Sequence, residues 1–127
     1  MPNSAIVLLG RILLSIIFIL AGFGKLTGIA GTAQYFASYG LPVPTATAVI
    51  VGLIELLGGL AVLIGVQTRI AASVLALFCV ASALVAHMDW ADAGQLINFQ
   101  KNLAMAGGLL VLAAFGPGAY SVDGRRG

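Results

Sequence analysis

Long apolar runs separated by short polar stretches dominate the pattern of the chain. A helix needs about 20 mostly apolar residues to cross the hydrocarbon core of a bilayer. Four windows meet this requirement, at residues 4–26, 45–66, 68–87 and 101–118. Pro117 ends the fourth window because it cannot continue a helical hydrogen-bond ladder. The pattern predicts an all-α membrane protein, a four-transmembrane-helix bundle formed by residues 1–127 as a single membrane domain.

The two longer connections carry aromatic residues. Ala33, Phe36 and Tyr39 follow the first window at helical spacing, which predicts a short helix at the membrane surface with its aromatic side down. Trp90 and Phe99 precede the fourth window and are typical of interface anchors. Both connections therefore belong to the same surface of the bilayer.

A weak internal repeat relates the two halves of the chain. The first and third windows open with RILLS and RIAAS, and the second and fourth contain GGLAVL and GGLLVL. Two similar hairpins related by an axis along the membrane normal would give this pattern.

Composition and charge support a membrane protein and exclude several other classes. The chain is 61% hydrophobic and only 8% charged, whereas soluble proteins are about 25% charged. Its mean hydropathy is +1.11. The net charge of +2 comes from scattered cations, which gives no nucleic-acid-binding patch. The single cysteine and single histidine form no disulfide within the chain and no recognisable metal site.

The distribution of cations predicts an orientation. The N-terminus, Arg69 and the tail residues Arg125 and Arg126 fall on one side of the predicted membrane, and Lys25 and Lys101 fall on the other. Lysine and arginine are enriched on the cytoplasmic side, so we expect both termini in the cytoplasm of a bacterial cell, with the chain in the inner membrane.

Glu55 is the most informative charged residue. It lies about 15 Å into the second window at 1.5 Å per residue, too deep for its short side chain to reach water. Ionisable groups at such depth are functional-site candidates. We consider two interpretations: a structural ion pair between Arg11 and Glu55 that fixes helix register, or a protonated Glu55 that handles a proton or a ligand. Arg11 shares a helical face with Lys25, and either cation could instead extend to lipid headgroups.

Several polar residues reach the outer ends of three different windows. These candidates for a substrate or quinone site are Lys25, His87, Asn98 and Lys101, with Glu55 below them. Such a pocket would suit an anion or a quinone carbonyl, although a histidine at a helix end is also a common interface residue.

Three motifs together resemble the DoxX family of small bacterial membrane proteins. They are GRxLLSxxFxxAGxxKL in the first window, GLIELLGGLAVLIG in the second, and TRIAA at the start of the third. The resemblance extends over residues 8–118 and implies a four-helix membrane bundle. Carried over by position, the family's polar positions correspond to Arg11, Lys25, Glu55, Arg69 and His87.

The resemblance implies several functions. Some family members are small subunits of thiosulfate:quinone oxidoreductases, and others associate with oxidoreductases in redox-stress complexes or with resistance to quinones and catechols. We therefore expect a quinone-linked redox protein or the membrane subunit of an oxidoreductase complex. The chain has no haem-ligand pair, iron–sulfur cysteines or dinucleotide motif, so electron transfer would need a bound quinone or a partner's cofactor.

Two alternatives to this redox function stay open. The chain could be a non-catalytic binding or assembly module, or a small-molecule carrier, which would need a second copy. The expected partners are the lipid bilayer, an oxidoreductase and another copy of the chain.

Overall fold

The computed structural model describes residues 2–126, with the side chains of residues 3–125, so the side chain of Arg126 lies outside the described part. Six helices form: α1 (Pro2–Thr27), α2 (Ile29–Ser38), α3 (Pro44–Ile64), α4 (Thr68–Ala86), α5 (Ala93–Phe115) and α6 (Val122–Arg126). Within the described residues there is no strand, and α1, α3, α4 and α5 are long and apolar enough to cross a membrane. The predicted all-α class is confirmed.

The four long helices pack as two hairpins. Helix α1 packs most extensively against α3, and α4 packs most extensively against α5. Contacts between α3 and α4 join the hairpins, while α5 touches α1 at a few points and α2 lies against α3. The start of α1 and the segment that leads into α6 lie at one end of the bundle, which we call the terminal end. The opposite end, where α2 lies, is called the cavity end.

Large apolar side chains cover the outside of the bundle, and small ones fill much of its interior. Ala48, Ala72 and Ala83 are fully buried, whereas Leu77 and Phe115 are among many exposed apolar residues. Such a surface is solvated by lipid rather than by water. The bundle therefore contacts the lipid bilayer, as the composition predicts.

Glycine allows α1 and α3 to approach closely. A Cβ atom on Gly22 would lie 2.5 Å from the backbone nitrogen of Leu56 and 2.7 Å from the carbonyl oxygen of Gly52. A Cβ atom on Gly59 would lie 2.9 Å from Cγ1 of Ile19 and 3.1 Å from its backbone nitrogen. By contrast, Gly24, which the sequence pairs with a second glycine in a GxxxG motif, has no atom within 4 Å of its Cβ position. Small residues at the α1–α3 contact thus set the spacing of this hairpin.

The start of α5 differs from the prediction. The helix begins at Ala93 rather than at Lys101, because the Asp92 carboxylate accepts backbone N–H groups from Gly94 at 2.8 Å and Gln95 at 3.4 Å. This is a regular N-cap. Hydropathy identifies the apolar part of the helix only, so its polar first turns lie outside the predicted window.

Candidate functional site

A cavity of about 380 Å³ lies at the cavity end, between the two hairpins and beneath α2. Its wall is mostly apolar and includes Phe36, Val51, Phe78 and Val85. The polar lining residues are Lys25, Tyr35, Tyr39, Thr47, Glu55, Ser82, His87 and Asn102. An apolar cavity of this size with a few convergent polar groups is typical of a small-molecule site. Among the described residues, no three potential metal ligands gather at one place.

Lys25 and Glu55 form an ion pair in the wall of this cavity. The Nζ atom of Lys25 lies 2.7 Å from Oε1 of Glu55, whose side chain is 7% exposed against 26% for the lysine. Side chains lean toward the N-terminus of their own helix, and these two helices are antiparallel. Lys25 therefore leans toward the membrane centre and Glu55 leans toward the cavity end, so the two meet.

The predicted pair between Arg11 and Glu55 is wrong. The contact of Gly22 with Leu56 sets Glu55 level with residue 22 of α1. Arg11 lies about 16 Å farther along α1 at 1.5 Å per residue, and it leans toward the terminal end, away from Glu55. The prediction assumed that the two residues lie at similar depths, and the register of the hairpin excludes this.

Arg11 instead bonds to backbone carbonyl groups at the terminal end. Its side chain is almost fully buried and donates to Leu63 at 3.3 Å, Pro117 at 3.1 Å and Tyr120 at 2.8 Å. These carbonyl groups belong to the end of α3 and to the segment after α5, where helical partners run out. Arg11 therefore ties the C-terminal segment to the bundle and does not belong to the cavity.

Asp123 caps α4 from the far end of the chain. Its carboxylate accepts the backbone N–H groups of Gln67 at 2.9 Å and Thr68 at 2.8 Å, and the Thr68 hydroxyl at 2.7 Å. Its own N–H donates to the carbonyl of Gly65 at 2.8 Å. Sequence reasoning missed this cap because N-caps are sought next to the helix they serve. The signal available in the sequence was Gln67, a poor N-cap residue directly before α4. In the structure its backbone has a left-handed conformation.

The remaining predicted site residues divide into two groups. His87 lines the cavity, where its Nδ1 atom is buried without a hydrogen-bond partner in the described part of the chain, and its carbonyl accepts the indole N–H of Trp90 at 3.1 Å. Asn98 and Lys101 are exposed and do not line the cavity. Asn102 lines it instead and donates to the Asn98 carbonyl at 3.0 Å. Neighbouring positions on α5 point about 100° apart, so a shift of one residue changes the face.

Helix α2 contributes aromatic residues that the sequence assigned to the membrane surface. Phe36 is its buried residue, and Tyr35 and Tyr39 line the cavity beside it. The Tyr35 hydroxyl donates to the Tyr39 hydroxyl at 3.3 Å, and the two rings meet edge to face with centroids 5.0 Å apart. This hydrogen bond and partial burial raise the pKa of Tyr35 to about 12. The aromatic side of α2 thus faces a cavity rather than lipid alone.

The chain is similar to known bacterial membrane proteins. It is 47% identical to the inner membrane protein YqjF of Escherichia coli over 92% of this chain and 88% of that protein. It is 38% identical to the inner membrane protein YphA of the same organism over 97% of this chain and 91% of that protein. A third relative is named "Putative oxidoreductase CatD", from Bacillus subtilis, at 37% identity over 64% of this chain and 59% of that protein. No solved structure matches significantly.

The profile of the DoxX family matches residues 6–88, from the first turns of α1 to the residues just after α4. The match covers Lys25, Glu55 and His87, whereas the Asn102 side of the cavity lies beyond it. With four membrane-crossing helices and two inner-membrane relatives of nearly full coverage, the chain is a multi-pass inner membrane protein and belongs to the DoxX family.

Proposed function

We propose that this protein binds a quinone in the cavity at the cavity end and acts as a quinone-linked redox protein or as the membrane subunit of an oxidoreductase. The observation that carries the proposal is the Lys25–Glu55 pair, buried in the wall of an apolar cavity. Ionisable groups within a membrane are costly and mark ligand or proton pathways. A pair that served only as a structural contact would not need an adjoining cavity.

The chemistry of the pair suits a neutral ring that carries oxygen. An ammonium group has three N–H donors, and the contact with Glu55 occupies one of them. The others can donate to a carbonyl oxygen, while the carboxylate can accept from a hydroxyl group. The pair can therefore bind a ring in its carbonyl or hydroxyl form, and its net charge of zero favours an uncharged ligand.

The aromatic wall supports the same class of ligand. Phe36, Tyr39 and Phe78 line the cavity from α2 and α4. Aromatic rings prefer to pack edge to face or offset against other rings. A flat ring can therefore pack against these side chains while its oxygen faces the ion pair.

An oxidoreductase partner is part of this proposal because the sequence contains no recognisable motif for a redox cofactor of its own. The chain has one histidine and one cysteine, too few for a bis-histidine haem site or for the four ligands of an iron–sulfur cluster. Electrons exchanged with a bound quinone would pass to or from a cofactor on a partner protein. The word oxidoreductase in the name of the Bacillus subtilis relative supports this assignment.

The fluorescence of Trp90 provides the test of quinone binding. Trp90 is the single tryptophan, and its indole donates to the carbonyl of His87, which lines the cavity. A quinone in the cavity should quench this fluorescence. We expect saturable quenching when 1,4-naphthoquinone is titrated into the protein in lipid nanodiscs, with N-acetyltryptophanamide correcting for absorption by the quinone.

Matched variants locate the binding. Lys25→Met should lower the naphthoquinone affinity measured by quenching at least tenfold, because it removes the donor and leaves the carboxylate of Glu55 unpaired. Lys101→Met removes an exposed lysine that does not line the cavity and should leave the quenching unchanged. Quenching that rises linearly without saturation in the wild type would refute quinone binding and favour a non-catalytic assembly role.

The proposed orientation places both termini in the cytoplasm and the cavity toward the opposite face of the inner membrane. Its support is the positive-inside distribution, with Arg69 and Arg125 at the terminal end. A reporter fused after Gly127 should be active if it works only in the cytoplasm and inactive if it works only in the periplasm. The opposite result would place the cavity near the cytoplasmic face.

A further inference from the structure

The tyrosine pair on α2 has one more hydroxyl hydrogen than it uses. The Tyr35 hydroxyl donates to the Tyr39 oxygen at 3.3 Å, which occupies one of the two hydrogens. The other hydrogen, on Tyr39, has no hydrogen-bond acceptor among the described residues. Tyr39 is partly exposed and lines the cavity. Its hydroxyl hydrogen is therefore available to an acceptor oxygen in the cavity.

The local structure fixes the position of Tyr39. Phe36 is buried and anchors α2, which packs on α3. The N–H of Tyr39 donates to the Phe36 carbonyl at 3.1 Å, and the chain then turns at Gly40, whose φ of 74° is readily adopted only by glycine. The ring of Tyr39 is therefore held at the end of a packed helix rather than on a free loop.

Tyr35 prepares Tyr39 to donate. An oxygen that accepts a hydrogen bond makes its own hydrogen a stronger donor, because hydrogen bonds in a chain polarise one another. The edge-to-face contact of the rings, with centroids 5.0 Å apart, holds the two hydroxyl groups in reach of each other. The raised pKa of Tyr35, about 12, has the hydrogen bond to Tyr39 as its main cause, with partial burial second.

We propose that Tyr39 is a specificity-determining residue whose hydroxyl donates to an oxygen of the ring bound in the cavity, and that Tyr35 is the residue that positions it. This inference rests on the proposed quinone binding and adds a second polar contact to the one at Lys25. The two donors come from different places in the chain, the C-cap of α2 and the last turn of α1. The cavity thus selects an uncharged ring that carries oxygen over a hydrocarbon ring of the same size.

Two ligands that differ in oxygen content test the selection. One is 1,4-naphthoquinone, followed by quenching of Trp90, and the other is tetralin, a two-ring hydrocarbon without oxygen, followed by its ability to displace the quinone. Tyr39→Phe keeps the ring and removes the hydroxyl. It should weaken naphthoquinone binding about three- to tenfold, the effect of one net hydrogen bond, and leave tetralin binding unchanged.

Two further variants complete the design. Tyr35→Phe should lower the preference for naphthoquinone over tetralin in the same direction but by less, because Tyr39 keeps its donor and loses only its polarising partner. If a tyrosine served only as part of the cavity wall, its replacement would weaken the binding of naphthoquinone and tetralin equally. Tyr120→Phe is the matched control, since Tyr120 is an exposed tyrosine at the terminal end and does not line the cavity.

Failure of the inference differs from failure of the proposed function. No saturable quenching in the wild type would overturn both. Saturable quenching that is equal in the wild type and Tyr39→Phe would overturn the role of Tyr39 alone, as would equal losses for naphthoquinone and tetralin. If tetralin does not displace the quinone from the wild type or any variant, the naphthoquinone affinities alone decide. A lower affinity of Tyr39→Phe than of the Tyr120→Phe control supports the role of Tyr39, and equal affinities overturn it.

Discussion

Replacing Gly22 with alanine should push the first hairpin apart. The added methyl carbon would lie 2.5 Å from the backbone nitrogen of Leu56 and 2.7 Å from the carbonyl oxygen of Gly52. Both atoms are backbone atoms on α3, so no side-chain rotation can relieve the contact. The two helices must separate by roughly 1 Å, and gaps of that size forfeit a quarter to a half of each dispersion contact they open.

This separation sets the size of the effect. Inserting a methyl group into a close-packed interior typically costs about 1–3 kcal/mol. We therefore expect Gly22→Ala to lower the free energy of unfolding by that amount. Lys25 lies one helical turn farther along α1, so the shift should also lengthen its contact with Glu55 and weaken naphthoquinone binding.

Gly24 provides the matched control for this substitution. It lies on the same helix, yet a Cβ atom there would have no neighbour within 4 Å. Gly24→Ala should be neutral or stabilising by up to about 1 kcal/mol, the difference in helix propensity between the two residues. Unfolding of both variants and the wild type can be compared by steric trapping in bicelles. Equal stability of Gly22→Ala and Gly24→Ala would refute the close approach of α1 and α3.

Three further predictions concern the polar contacts. Glu55→Gln and Lys25→Met should each destabilise the protein, whereas Lys25→Met combined with Glu55→Leu should recover much of the stability and still lose naphthoquinone binding; a fully stable double variant that binds normally would reduce the pair to a structural contact. Asp123→Ala should cost about 1–2 kcal/mol and speed amide exchange in the first turn of α4, as expected for a lost N-cap; unchanged exchange there would count against the cap. The stability that Tyr35 gains from Tyr39 should be fully present below pH 10 and lost as the pH rises through about 12, because the folded-state pKa is raised; the difference in melting temperature between wild type and Tyr35→Phe should shrink over that range, and a constant difference would contradict the assignment.

Hydropathy was sufficient to predict the fold class and the four spans. Apolar windows long enough to cross a bilayer have few alternative structures, because backbone groups within lipid must bond to one another. Depth along a helix also identified Glu55 as a residue that needs a partner. The ends of the spans were less predictable, as α5 shows, since a single aspartate cap decides where it begins.

The partner of Glu55 could not be read from the sequence. Its choice between Arg11 and Lys25 depends on the register of α1 against α3, and that register is set where Gly22 meets the backbone of Leu56. Three-dimensional contact of this kind leaves no periodic signal. The same applies to Asp123, which caps a helix that begins 55 residues earlier in the chain.

The bonds made by Arg11 have a consequence for the order of events during synthesis. Two of its carbonyl acceptors, on Pro117 and Tyr120, lie 106 and 109 residues later in the chain. At roughly 5–20 residues per second, α1 is made several seconds before these acceptors exist. During that interval the guanidinium group must be solvated by water or lipid phosphate, which keeps the start of α1 at the membrane surface. A segment made 106 to 109 residues later therefore fixes the depth of α1 in the bilayer.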